Sequence, residues 1–94
     1  MVFRNVINYY RYNFETIIQN INIMNRKSVE SSNLASVGYD VNSSILEVEF
    51  NNGGIYQYSN VPSRVYEGLM NADSHGSYFD KNVKKAGYSF RKIR

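Results

Sequence analysis

Gly38-Tyr39-Asp40, Leu46-Glu47-Val48-Glu49-Phe50, Gly54-Ile55-Tyr56-Gln57-Tyr58 and Val61-Pro62 are the segments whose reading decides the fold. Ala35, Val37, Tyr39 and Val41 alternate with Ser36, Gly38 and Asp40, the period of two that a half-buried strand requires. After the Asn42-Ser43-Ser44 loop, Leu46, Val48 and Phe50 alternate with Glu47 and Glu49, so one face is buried and the other is wet. Asn51-Asn52-Gly53-Gly54 is a turn signal, because Asn and Gly accept the positive φ of hairpin turns. A third strand then runs from about Gly54 to Tyr58, with Tyr56 and Tyr58 on one face and Ile55 and Gln57 on the other. The segments spell a three-stranded antiparallel unit that leads into a helix.

Pro62 has a fixed φ and no amide hydrogen, which suits the first turn of that helix. Val65, Tyr66, Leu69 and Met70 recur at helical spacing. Gly68 weakens the helix by ~1 kcal/mol relative to alanine, and a glycine there is read as room for another element to approach. Ser74 caps a second short helix carrying Phe79, Val83 and Ala86, which ends at Gly87. Residues 88–93, Tyr88-Ser89-Phe90-Arg91-Lys92-Ile93, alternate again as a closing strand.

Residues 1–24 follow another rule. Phe3, Ile7, Tyr10, Phe14, Ile17, Ile21 and Met24 fall at alternating spacings of four and three, a heptad seam. The segment reads as an amphipathic helical extension that docks on the domain or pairs with a second copy as a homo-oligomer. Its β-branched and Asn residues are poor helix formers, so tertiary packing must hold it. It is too often broken by Asn and Arg to span a bilayer, and it lacks the apolar core of a signal peptide.

The chain has 94 residues, enough for one domain and too few for two. Hydrophobic content of 43% with 20% charge fits a globular protein, not a disordered one. The absence of cysteine excludes disulfides and thiolate metal sites and fits a cytoplasmic location. A net charge of +3 is compatible with an acidic partner.

The order and spacing of Ser32, Val37-Gly38-Tyr39-Asp40, Leu46-Glu47-Val48, Phe50, Gly54, Tyr56, Tyr58, Val61-Pro62, Ala72, Ser74, Gly76 and Tyr78-Phe79 resemble the KTSC domain. That module is named for its place at the C-terminus of some lysyl-tRNA synthetases, and it also stands alone in short bacterial and phage proteins. The resemblance runs from Ser28 to Lys92, roughly two-thirds of the chain. It implies a domain over residues 28–94 and leaves residues 1–24 uncovered. It implies no activity, and its synthetase context points to RNA by analogy alone.

Catalysis, metal binding and cofactor binding find little support in the sequence. His75 is the only histidine, and Ser74-His75-Gly76 reads as a cap followed by a loop residue rather than a nucleophile and its base. Asp73 and Asp80 lack ligand spacing, and Glu47 with Glu49 read as solvated surface carboxylates. There is no phosphate-loop or dinucleotide glycine pattern, so no cofactor is expected.

Binding is the better expectation. Single-stranded RNA is held by rings that stack on bases and cations that meet phosphates. Tyr56 and Tyr58 supply rings, and Lys84, Lys85, Arg91 and Lys92 supply cations that share their surface if the closing strand lies near the third strand. Two other readings compete: a self-assembly module using the N-terminal helix, and a nucleotide-like small-ligand pocket lined by Tyr39, Tyr56, Tyr58 and Tyr66. The tyrosines also have a plainer role, filling the core with their hydroxyls at its edge. The expected architecture is α+β: a three-stranded antiparallel meander plus a C-terminal strand, two helices on one face, and the N-terminal amphipathic helix in front.

Overall fold

The period-two segments form strands and the helical segments form helices in the computed structural model, which describes residues 24–94. The elements are β1 (Lys27–Ser28), β2 (Leu34–Asp40), β3 (Ile45–Phe50), β4 (Ile55–Tyr58), α1 (Ser63–Asn71), α2 (His75–Phe79), a π-helical turn (Asp80–Lys84) and β5 (Phe90–Lys92). The five strands make one sheet in chain order, every neighbouring pair antiparallel. The meander and the closing strand are therefore present. The two-residue β1 was not expected, because so short a strand carries no periodicity. The predicted helix over residues 1–24 lies outside the described residues apart from Met24.

β2 departs from simple alternation. A bulge between Leu34 and Ser36 adds a residue against β3, so Leu34, Val37 and Tyr39 share the inner face. Val41, expected in that row, lies past the strand and is 69% exposed. The β3–β4 turn forms as expected: Gly53 has φ 94°, and the Asn52 side chain accepts a hydrogen bond from the Gly54 amide at 2.9 Å.

Both helices close over the face that carries Leu34, Val37, Leu46, Val48 and Tyr58. Val65 and Leu69 of α1, Phe79 of α2 and Val83 of the π-helical turn complete the core. Burying each such aliphatic or aromatic side chain contributes about 1.5–3 kcal/mol. Pro62 sits one position before α1, at φ −65° and ψ 148°, with Ser63 the first helical residue. Ser74 caps α2 by accepting from the Ser77 amide at 3.2 Å. The Nδ1–H of His75 donates to the Leu69 carbonyl at 2.7 Å, adding to the long 3.4 Å bond which that carbonyl accepts from the Ala72 amide at the end of α1. The wide π turn, marked by the Lys85 amide bonding to the Asp80 carbonyl at 3.0 Å, rotates the residues after it off the helical stripe. Phe79 and Val83 are buried as expected, but Ala86 is exposed.

Gly68 behaves as a packing glycine. A Cβ there would overlap the Tyr78 hydroxyl and lie 2.6 Å from the ring carbon that bears it.

The opposite face of the sheet corrects one expectation. Glu47 is not solvated but 1% exposed, and Gln57 beside it is 2% exposed. Arg26, just before β1, pairs with the Glu47 carboxylate, whose other oxygen accepts from Gln57 Nε2 at 2.8 Å. Glu49 is partly exposed, accepting from Ser36 Oγ at 2.8 Å and from Arg94 at 3.3 Å. Gly38 makes room for the incoming chain, since a Cβ there would lie 2.5 Å from the Asn25 carbonyl oxygen.

These contacts set two expected outcomes. Gly68→Ala should destabilise the domain by about 1–3 kcal/mol through overpacking, although alanine is the better helix former. Urea unfolding should show that adding Tyr78→Ala costs less than the sum of the single losses. Arg26→Ala should cost about 3–5 kcal/mol, because it leaves a buried carboxylate unpaired. The same measurement should find Arg26→Ala with Glu47→Leu more stable than Arg26→Ala alone.

Candidate functional site

β4 and β5 pair Tyr58 with Phe90, Gln57 with Arg91 and Tyr56 with Lys92. Antiparallel partners share a face, so Tyr58, Phe90, Tyr56 and Lys92 all lie on the side that carries the helices. Tyr58 and Phe90 have ring centroids 5.5 Å apart, and Tyr56 and Phe90 5.9 Å. Phe79 meets Tyr58 edge-on at 5.6 Å, and Phe50 meets Tyr56 edge-on at 5.6 Å. These edge-to-face contacts suit the quadrupoles of the rings and stiffen the floor of the site.

The rings line an open groove of about 880 Å³. Its rim is formed by the Asn52-Gly53-Gly54 turn on one side and by Asp80 and Lys84 on another; Lys92 and Arg94 close the end. Lys84, Lys92 and Arg94 thus border the groove with one carboxylate, Asp80, among its lining residues, and Arg94 is paired with Glu49 at 3.3 Å. Phe90 is 61% exposed, an unusual position for a phenylalanine whose neighbours are rings. Tyr56 is half-buried, while Tyr58 is only 6% exposed and serves as floor. Burial, and secondarily the neighbouring Tyr56, push the Tyr58 hydroxyl above its ordinary value of 10.0.

The six residues chosen from the sequence separate into two groups. Tyr56, Tyr58, Lys84 and Lys92 all line the groove. Lys85 turns away to pair with Asp80 at 3.1 Å and faces a second, shallower cleft beside the Ser31-Ser32-Asn33 loop. Arg91 leaves by the opposite face of the sheet and donates to Gln57 Oε1 at 3.1 and 3.3 Å. Phe90, Arg94, Phe50 and Phe79 line the groove and were not singled out. Phe90 was accessible to the reading: alternation in the closing strand puts it in phase with Lys92 and, once β5 pairs with β4, with the tyrosines.

The four tyrosines of the small-ligand reading do not share one cavity. Tyr39 stacks on Tyr66 with centroids 5.2 Å apart, and the Tyr39 hydroxyl donates to the Val61 carbonyl, whereas Tyr56 and Tyr58 line the groove. Among the described residues, no three His, Asp or Glu side chains gather where they could hold a metal ion. Among the same residues, no helix is long and apolar enough to cross a membrane.

The KTSC domain family model matches residues 30–88. The chain belongs to the KTSC domain family. A crystal structure of a KTSC domain protein from Yersinia pestis superposes with a TM-score of 0.70 at 42% identity, covering 77% of this chain and 100% of that one. An uncharacterised protein of Stutzerimonas stutzeri is 43% identical over 70 residues, which is 74% of this KTSC chain and 99% of the relative. A lysine–tRNA ligase of Nostoc punctiforme is 38% identical over 55 residues, 58% of this chain but only 10% of the ligase.

The raised Tyr58 value fixes a pH response for this KTSC domain. The unfolded chain loses the Tyr58 proton near 10.0, while the folded chain holds it to higher pH. The contribution of that hydroxyl is therefore complete below pH 10 and is lost as pH rises from there through the folded value. Melting temperatures measured from about pH 9 to about pH 11 should fall less for Tyr58→Phe than for the native chain.

Proposed function

We propose that this KTSC domain is a non-catalytic module that binds single-stranded RNA in the groove between β4, β5 and the π-helical turn. The observation that carries the reading is the convergence of an exposed Phe90 ring and a half-buried Tyr56 ring with Lys84, Lys92 and Arg94. Ring faces accept any base, and the cations meet the phosphates on either side. Phe90 and the Tyr56 edge are the contact rings, with Tyr58 beneath them as support. Lys84, Lys92 and Arg94 are the phosphate contacts. Similarity to a segment of a lysine–tRNA ligase agrees with an RNA partner.

A labelled single-stranded oligoribonucleotide titrated with the protein tests this. Each stacked base is worth about 1–3 kcal/mol, so Phe90→Ala should weaken binding roughly 5- to 150-fold. Lys84→Ala with Lys92→Ala should flatten the dependence of affinity on salt, because fewer counterions are released. Absence of binding at low salt would dismiss the proposal.

The groove volume of about 880 Å³ also favours a second reading, a free nucleotide, since ligand pockets typically span about 300–1,000 Å³. Mononucleotides that raise the melting temperature, with no oligomer binding tighter than they do, would favour that reading over an RNA strand.

A further inference from the structure

Arg91 lies between two groove residues, Phe90 and Lys92, yet its own side chain leaves by the other face of the sheet. There it ends a ladder of hydrogen bonds that crosses the sheet. Arg91 donates twice to Gln57 Oε1, Gln57 Nε2 donates to Glu47 Oε1 at 2.8 Å, and Arg26 pairs with the remaining Glu47 oxygen. A guanidinium at each end leaves the Gln57 amide one orientation. Turned over, it would set its NH2 group against Arg91 and its oxygen against the Glu47 carboxylate. Gln57 and Glu47 are almost fully buried, so an unmet bond there is costly.

β5 depends on such a tie. It has three residues, all exposed, and among the described residues it sits at the edge of the sheet with β4 as its one strand neighbour. Backbone pairing by itself says little about register. A slip of one residue would turn Phe90 and Lys92 out of the groove and drive the Arg91 charge in among the rings. Arg94 adds a second tie, to Glu49 at 3.3 Å and to the Gly53 carbonyl at 3.4 Å, from a side chain that is mostly exposed.

We propose that Arg91 is a positioning residue for the groove: through Gln57 it locks the register of β5, and so holds Phe90 against Tyr58 and Lys92 beside Tyr56. Its role is on the far side of the sheet from any ligand. The affinity part of the test rests on the RNA reading above; the ring-contact part does not.

Two measurements on the full chain decide it. In the free protein, nuclear Overhauser contacts between Phe90 and Tyr58 should be lost in Arg91→Ala, and the Ser59 and Ile93 amides should exchange faster, while the Val48 amide is unchanged. Arg91 is exposed, so this variant should fold whether or not a Gln57 variant does. Intact Phe90–Tyr58 contacts in Arg91→Ala would overturn the proposal. Binding of labelled oligouridine should weaken about tenfold in Arg91→Ala and in Gln57→Met alike, with less than about a twofold further loss in the double variant. A second full loss on adding Arg91→Ala to Gln57→Met would mean that Arg91 touches the ligand itself, and would also overturn it. Should the native chain bind no oligouridine at low salt, the RNA reading falls, and the ring contacts still decide the role of Arg91.

Discussion

One four-residue strand, β4, couples the two faces of this domain. Its period of two sends Tyr56 and Tyr58 toward the helices, and Ile55 and Gln57 toward the back of the sheet. Neither face can be shifted without the other. The aromatic floor of the groove and the buried Glu47–Gln57 pair are therefore set by a single register. β3 enforces that register from one side by pairing Val48 with Tyr56 and Glu47 with Gln57, and β5 answers from the other.

The domain is small, and it meets that constraint with close approaches rather than bulk. Gly38 lets the chain before β1 cross the back of the sheet and deliver Arg26 to Glu47. Gly68 lets Tyr78 lie against α1. The π-helical turn then swings the chain so that Val83 remains in the core while Lys84 reaches the groove. A regular helix would also bury Val83, four residues after Phe79; what the wider turn changes is the path beyond it, which leaves Ala86 exposed. Of these features the π-helical turn borders the groove, whereas Gly38 serves the opposite face of the sheet and Gly68 the contact between α1 and Tyr78.

Much of this was legible in the sequence, and the misses have specific causes. Alternation in Leu46–Phe50 and Gly54–Tyr58 placed the strands, and the Asn-Gly run placed their turn. The same logic failed at Ala35, because the bulge after Leu34 shifts the phase there, and at Val41, because the strand ends one residue before it. Ala86 failed in the same way, through a π turn that spacing rules do not anticipate. Glu47 looked solvated because alternation shows which face a side chain is on and not whether another segment covers it. Its cation, Arg26, lies 21 residues away. Of the basic residues near the C-terminus, Lys84 and Lys92 reach the groove, while Lys85 and Arg91 do not, although all four look alike as letters in a row.

The sequence by itself determined the kinds of element and their order, because periodicity, turn residues and caps act over a few neighbouring residues. It also determined which positions carry rings and which carry charge. The tertiary structure alone decided which of those rings stay exposed in the groove and which cations stand beside them. Those outcomes depend on strand register, on the pitch of one helical turn and on a guanidinium arriving from the far end of the sheet. Each is fixed by contacts between residues distant in the chain, where local preference has no say.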